Sequence, residues 1–229
     1  MASIDEAKRT AARAALAELP DEGVIGLGTG STTRFFIDAV GEAVKAGKKY
    51  VGVPTSEASR KQAGELGIPL LSDDGPWDIA VCVDGSDEVD PNLDLVKGGG
   101  GAQTREKIVN YSARKNVIIV DGSKLSAQLG MTWSVPIEVL PFAHLATKSH
   151  LAKFGAPVLR PAKQGEGPWK TDAGNLIYDV KTGPIANASA LDTQLRAIPG
   201  VVETGLFVGR ADIVLVARES GVERLVRKK

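Results

Sequence analysis

Short apolar runs alternate with segments of helical period through the first half of the chain, and this alternation narrows the fold more than any other feature. Val24–Leu27, Tyr50–Val53, Ile68–Leu71, Ile79–Asp84 and Val117–Val120 read as strands; Phe35–Val44, Glu57–Leu66 and Thr104–Ala113 read as helices. Repeated strand–helix units imply a mainly parallel sheet with helices on both faces, an α/β fold. A further helix precedes the first strand and runs to about Leu19. Ser3-Ile4-Asp5-Glu6 fits a capping box at its start, Ala7, Ala11, Ala15, Leu16 and Leu19 give it an apolar face, and Pro20 with Gly23 ends it.

After Lys124 the pattern changes. A strand over Val135–Val139, a helix over about Phe142–Phe154, a strand over Pro157–Arg160 and a segment Trp169–Asp179 follow. The last is broken by Thr171-Asp172-Ala173-Gly174-Asn175 and reads as a hairpin, because Asp, Gly and Asn supply the positive φ of a tight turn. A helix over Ser189–Ala197 stops at Pro199-Gly200, and two apolar strands, Gly205–Val208 and Ile213–Ala217, complete the chain. The expected division is a discontinuous larger domain, 1–126 with 205–229, and a smaller α+β domain, 127–204. Lys163–Pro168 is expected as an exposed loop.

With 229 residues, 43% of them hydrophobic, the chain has enough apolar material for such a core. Lysine plus arginine equals aspartate plus glutamate at 28 each, so no global field draws it to nucleic acid or an anionic membrane, and Arg227-Lys228-Lys229 reads as a solvated tail. The single cysteine, Cys82, excludes an internal disulfide and sits in an apolar strand, where a thiol acts as a small core side chain. The amino terminus carries acids where a secretory signal needs a basic start, and no run reaches bilayer-spanning length, so the expected location is cytoplasmic.

Three loops carry groups suited to chemistry. Asp84 and Asp87 lie just past a strand's carboxyl end, the edge at which open α/β sheets bind ligands. Gly26-Leu27-Gly28-Thr29-Gly30-Ser31-Thr32 joins a strand to a helix, so its amides and hydroxyls suit an anion at the positive end of the helix dipole. A plain glycine turn with a hydroxyl cap explains it equally well. It is no dinucleotide fingerprint, since Ser31 replaces the third glycine and no ribose-gripping acid follows at the expected strand end. Lys97-Gly98-Gly99-Gly100-Gly101 lacks P-loop spacing, because its lysine opens the motif instead of closing it. Glu106 begins a helix just beyond, and Lys124 follows another strand in Asp121-Gly122-Ser123-Lys124. Each alone has an ordinary surface or turn reading; together, loops at one edge of a parallel sheet converge. His144 and His150 lack metal-ligand company, and no serine stands in a nucleophile elbow, which leaves acid/base chemistry.

The segments GLGTGST (Gly26–Thr32), VPTS (Val53–Ser56), LGIPL (Leu66–Leu70), DGSDE (Asp84–Glu88), KGGGGA (Lys97–Ala102), REKIV (Arg105–Val109), DGSK (Asp121–Lys124) and IPGVVETGLF (Ile198–Phe207) resemble, in order, ribose-5-phosphate isomerases of the A type. Ser86 stands where that family commonly has alanine, and TDAGN departs from the usual TDNGN. The resemblance implies a Rossmann-like larger domain, a ferredoxin-like smaller one, and a homodimer or homotetramer. It further implies interconversion of D-ribose 5-phosphate and D-ribulose 5-phosphate in the non-oxidative pentose phosphate pathway, with a small sugar phosphate as partner and no metal or organic cofactor. By position, Glu106 becomes the proton carrier, Lys97 with Gly98, Gly99 and Gly100 the charge stabilisers, and Asp84 and Asp87 the ring-opening acids. Thr29, Gly30, Ser31, Thr32, Gly85 and Ser86 would bind substrate, with Lys124 and Lys8 serving the phosphate. A sugar-phosphate sensor would need a DNA-binding module, and a CoA-transferase-like or deaminase enzyme on a similar fold would need a covalent glutamate or a catalytic histidine. Neither of these two enzymes fits Lys97, its glycines and Glu106 together.

Overall fold

The structure is a computed structural model and describes residues 4–228. Ser3 of the expected capping box and Lys229 of the basic tail lie outside the described residues. In chain order the elements are α1 (Ile4–Ala15), β1 (Glu22–Leu27), α2 (Thr33–Lys45), β2 (Lys49–Pro54), α3 (Glu57–Glu65), β3 (Val81–Asp84), β4 (Glu88–Val89), β5 (Leu95–Val96), α4 (Gln103–Ser112) and β6 (Asn116–Asp121). Then come β7 (Val135–Val139), α5 (His144–Leu151), β8 (Ala156–Leu159), β9 (Leu176–Lys181), α6 (Ala188–Arg196), β10 (Val201–Thr204), β11 (Leu206–Phe207), β12 (Ile213–Arg218) and β13 (Gly221–Val226). The chain divides into two compact units, Met1–Ser86 with Arg105–Lys124 and Gly209–Lys229, and Asp87–Thr104 with Leu125–Val208.

The first unit is built on a six-stranded sheet in the order β13-β12-β6-β3-β1-β2, parallel except for β13, which runs antiparallel to β12. Alternate residues of its strands (Ile25, Leu27, Val81, Val83, Val117, Ile119, Ile213 and Leu215) point to one face and pack with Ala11, Ala12 and Ala15 of α1, Phe35, Phe36 and Val40 of α2, and Ala63 of α3. Full burial of a Phe36 or an Ile25 contributes roughly 1.5–3 kcal/mol each over exposure. The opposite face is smaller. Cys82, Val53 and Ile79 meet Val109 of α4 there, so Cys82 is a core residue, as its strand position implies. The glycine at position 26 lets α4 approach, since a Cβ there would lie 2.9 Å from Val109 and 2.8 Å from Cys82 Sγ.

The second unit contains a four-stranded antiparallel sheet in the order β10-β7-β9-β8, with α5 between β7 and β8 and α6 between β9 and β10. That βαββαβ connectivity with the first and third strands central is the ferredoxin-like arrangement. Ile137, Val139, Leu176, Tyr178 and Val180 pack with Leu151 and Leu195 from the two helices. A three-stranded ribbon, β11-β5-β4, belongs to the same unit.

Several expectations need correction. The segment 87–104 falls in the second unit, not in the larger domain as 1–126 required, because β4 and β5 pair with β11 and Lys97 N donates to Gly205 O at 2.8 Å. Ile68–Leu71 makes a single bridge to Gly52 in place of a strand; Pro69 has no N–H with which to extend a ladder. The turn at 171–175 forms, with Gly174 at φ 80, yet the hairpin partner of β9 is β8, and Trp169 N donates instead to Arg160 O. A last strand, β13, follows the two expected ones. Its exposed Glu223 and Arg224 give it no apolar signature. Among the described residues no helix is long and apolar enough to cross a membrane.

Candidate active site

In the first unit, the loop after β1 is fastened to the end of β3. Gly28 N donates to Val83 O at 3.0 Å, and Asp84 Oδ1 accepts from Thr29 N at 3.0 Å and from Gly85 N at 2.7 Å. Asp84 is 2% exposed. The contact demands glycine at 28, where a Cβ would stand 2.2 Å from Asp84 Oδ1. The Thr29 hydroxyl enters a cluster with Thr55 Oγ1 at 2.7 Å and Ser56 Oγ at 2.8 Å, and Ser59 Oγ donates to Gly28 O at 2.6 Å. Ser56 also starts α3, its Oγ accepting from Ser59 N at 3.1 Å.

The rest of the loop faces outward. Gly30 takes φ 124, and the exposed Ser31 Oγ accepts from Lys8 Nζ at 3.1 Å, so two of the residues expected to bind substrate meet each other. Thr32 opens α2 without a side-chain capping bond, in contrast to Ser56 on α3 and Asn187 on α6. Lys124 ends a 3₁₀ turn after β6, half-buried, behind an Asp121 that accepts from Ser123 N at 2.9 Å. Glu106 stands in the first turn of α4 and is 3% exposed, which removes the reading of an ordinary surface glutamate. Its neighbour Arg105 is the surface residue, paired with Glu57 at 2.7 Å.

In the second unit, Asp87 and the glycine loop hold each other. Asp87 Oδ2 accepts from Gly99 N at 2.7 Å, and a Cβ on residue 99 would lie 2.7 Å from Asp87 Oδ1. Gly98 takes φ 109, and Gly101 N closes the loop onto Gly98 O at 2.9 Å. Lys97 is 3% exposed, its ammonium 5.5 Å from the Phe207 ring centroid. The other two acids of the cluster are structural. Glu88, fully buried, accepts from Gly130 N, Thr132 N and Thr132 Oγ1, and Asp90 accepts from Asn92 N and Asp94 N in a turn. His144 is likewise structural, its Nδ1 2.8 Å from the Tyr178 hydroxyl.

In each unit a carboxylate held by backbone N–H donors, Asp84 in the first and Asp87 in the second, suits proton transfer on a small polar substrate. Residues 51–221 match the family model of ribose 5-phosphate isomerase A (phosphoriboisomerase A). The chain belongs to the ribose-5-phosphate isomerase A family. The ribose-5-phosphate isomerase A of Thermococcus kodakarensis is 45% identical over 228 residues, covering 98% of this chain and 100% of the relative. That of Pyrococcus abyssi is 46% identical with the same coverage. A solved D-ribose-5-phosphate isomerase in complex with phospho-erythronic acid has a TM-score of 0.95 at 44% identity, covering 99% of this chain and 100% of its own. The ribose 5-phosphate isomerase A of Methanocaldococcus jannaschii has a TM-score of 0.93 at 39% identity, covering 98% of this chain and 100% of its own.

Against this ribose-5-phosphate isomerase A fold, sequence reasoning overlooked the parts that act by support. Thr55, Ser56 and Ser59 brace the first loop. A signal for them existed in VPTS, hydroxyls directly after a strand like those of GLGTGST. Glu138, 1% exposed, accepts from Thr104, Thr171 and Asn175 side chains, partners so scattered along the chain that no local pattern announces them.

Proposed function

We propose that this member of the ribose-5-phosphate isomerase A family interconverts D-ribose 5-phosphate and D-ribulose 5-phosphate through an enediolate, with Glu106 as the base. Moving the carbonyl from C1 to C2 requires that the C2 proton leave and that a proton arrive at C1, so a single carboxylate serves both steps. Glu106 takes the proton from C2, electrons shift onto the C1 oxygen, the proton of the C2 hydroxyl passes to the C1 oxygen, and the protonated Glu106 returns its proton to C1 as the carbonyl forms at C2. A burial of 3% exposure supports this reading, since it keeps bulk water from the acid between the two steps.

The remaining residues follow from what the reaction needs. Negative charge grows on the oxygens of C1 and C2, where Lys97 and the amides of Gly98 and Gly100 act as donors, while the Gly99 amide holds the Asp87 carboxylate. The furanose must open first, and Asp84 and Asp87 move protons among its oxygens; Asp84 Oδ1 is already oriented by Thr29 N and Gly85 N. The phosphate goes to the uncapped start of α2, with Gly30, Ser31 and Thr32, and Lys124 and Lys8 supply charge. Gly85 and Ser86 contact the sugar. The reaction belongs to the non-oxidative pentose phosphate pathway, and the working form is a homodimer or homotetramer, which light scattering determines.

The test is Glu106→Gln in a ketose-formation assay with ribose 5-phosphate and EDTA. The amide keeps shape and cannot accept the proton, so kcat should fall by about 10²–10⁴ while the circular dichroism stays that of the wild type. Near wild-type turnover by a folded Glu106→Gln removes Glu106 from the role of base.

A further inference from the structure

Four successive glycines leave the loop after Lys97 with no side chain of its own to hold it, and glycine loses more conformational freedom on folding than any other residue. Something else must fix its peptide planes. Arg160, directly after β8, does so from behind. Its Nη1 donates to Gly98 O at 2.7 Å and to Gly99 O at 3.3 Å, while Nε donates to Asp179 Oδ2 at 2.9 Å and Nη2 to Asp179 Oδ1. The Arg160 side chain is 13% exposed and that of Asp179 29%, so this two-pronged pair is largely withdrawn from water.

A trans peptide points its C=O and N–H in opposite directions. The Gly98–Gly99 peptide is therefore pinned at both ends, its oxygen by Arg160 at 2.7 Å and its N–H by Asp87 Oδ2 at 2.7 Å. A guanidinium on the oxygen also polarises the peptide and strengthens the N–H that Asp87 accepts. The next peptide is held in the same sense. With Gly99 O turned to Arg160, the Gly100 N–H turns away from the guanidinium.

We propose that Arg160, oriented by Asp179, is a positioning residue for the isomerisation: it sets the Gly98–Gly100 amides and, through Gly99, the carboxylate of Asp87. This deepens the function proposed above and rests on it. Arg160 and Asp179 also line a cavity of about 380 Å³ with Gly99, Thr132, Trp133 and Ser134. A small cation can therefore reach the place of a missing guanidinium.

Steady-state kinetics on the full chain test the clamp. Arg160→Ala should lower kcat about 10²-fold, the usual result of a misplaced reacting group, and move KM by less than about threefold. Added guanidinium should restore about tenfold of the lost rate, and Arg160→Lys, which keeps the charge without the fork, should fall between. A kcat for Arg160→Ala within about twofold of wild type, or a loss carried by KM alone, overturns the proposal. If Arg160→Ala does not fold, Asp179→Asn decides: about a tenfold loss in kcat is expected, and an unchanged kcat refutes the clamp. Hydrogen exchange at the amides of residues 98–101, faster in Arg160→Ala than in wild type, reports the clamp without substrate. A wild-type protein inactive on ribose 5-phosphate would thus sink the functional reading alone, and unchanged exchange the clamp alone.

Discussion

Gly28→Ala tests how Asp84 is held. A Cβ on residue 28 would lie 2.2 Å from Asp84 Oδ1, 2.4 Å from its Cγ and 2.6 Å from its Cα. The carboxylate could swing away, but the Cα cannot, because Asp84 ends β3 in register with Ile118 of β6, and Gly28 N is bonded to Val83 O. Overpacking against main chain belongs at the upper end of its usual cost, about 2–3 kcal/mol. Displacing the carboxylate also costs at least one of its two backbone hydrogen bonds, about 1.5–3 kcal/mol for a charged acceptor. With partial relaxation of the loop we expect a net loss of about 3–4 kcal/mol, which at a slope of about 3 kcal/mol/M lowers the urea midpoint by about 1 M. The same preparation should show kcat down at least about 10²-fold, as Asp84 leaves its place. Urea unfolding followed by circular dichroism and the ketose assay read the two effects. A midpoint within about 0.2 M of wild type, with kcat within about twofold, would refute the account of how β1 and β3 place Asp84.

Gly64→Ala should have the opposite sign. Gly64 lies on the exposed side of α3, with nothing within 4 Å of its missing Cβ, so alanine should raise stability by about 0.5–1 kcal/mol, and a lowered urea midpoint contradicts this. Glu18, its side chain 13% exposed, is hydrogen-bonded by Arg224 at 2.7 Å and by Lys115 at 2.5 Å, and these cations, Arg224 first, hold its carboxyl below the ordinary 4.5 against the opposing effect of burial. A depressed folded pKa gives stability that is present above the unfolded value and is lost as pH falls through the folded one. Glu18→Gln should accordingly be about 1 kcal/mol less stable at neutral pH, with the gap closing in acid; a gap independent of pH in urea unfolding argues against the ion pairs.

What the sequence disclosed depended on how local each signal was. β1, β3, β6 and β12 could be read because strands buried on both faces of a parallel sheet are continuous apolar runs, as in Asn116–Asp121. β13 could not, since an edge strand is free to alternate charge with apolar residues. β4 and β5 have two residues each, too few to show a period. The β8–β9 pairing was obscured by a genuine turn at 171–175 beside the wrong partner. Among the candidate residues, Asp84 and Asp87 stood out because strand ends are legible. Arg160 did not, because its contacts with Gly98 and Gly99 cross some sixty residues of chain and are made to backbone atoms.

The order of the six-stranded sheet bears on how the chain is made. β6 pairs β3 on one side and β12 on the other, and about 90 residues of further synthesis separate Asp121 from Ile213, roughly 5–20 s at usual elongation rates. During that interval Val117, Ile118, Ile119 and Val120 form an unpaired, uncharged margin on the nascent protein. The emerging ferredoxin-like segment must be completed before that margin is closed, which makes the interval the time at which a chaperone would be needed and self-association is most probable.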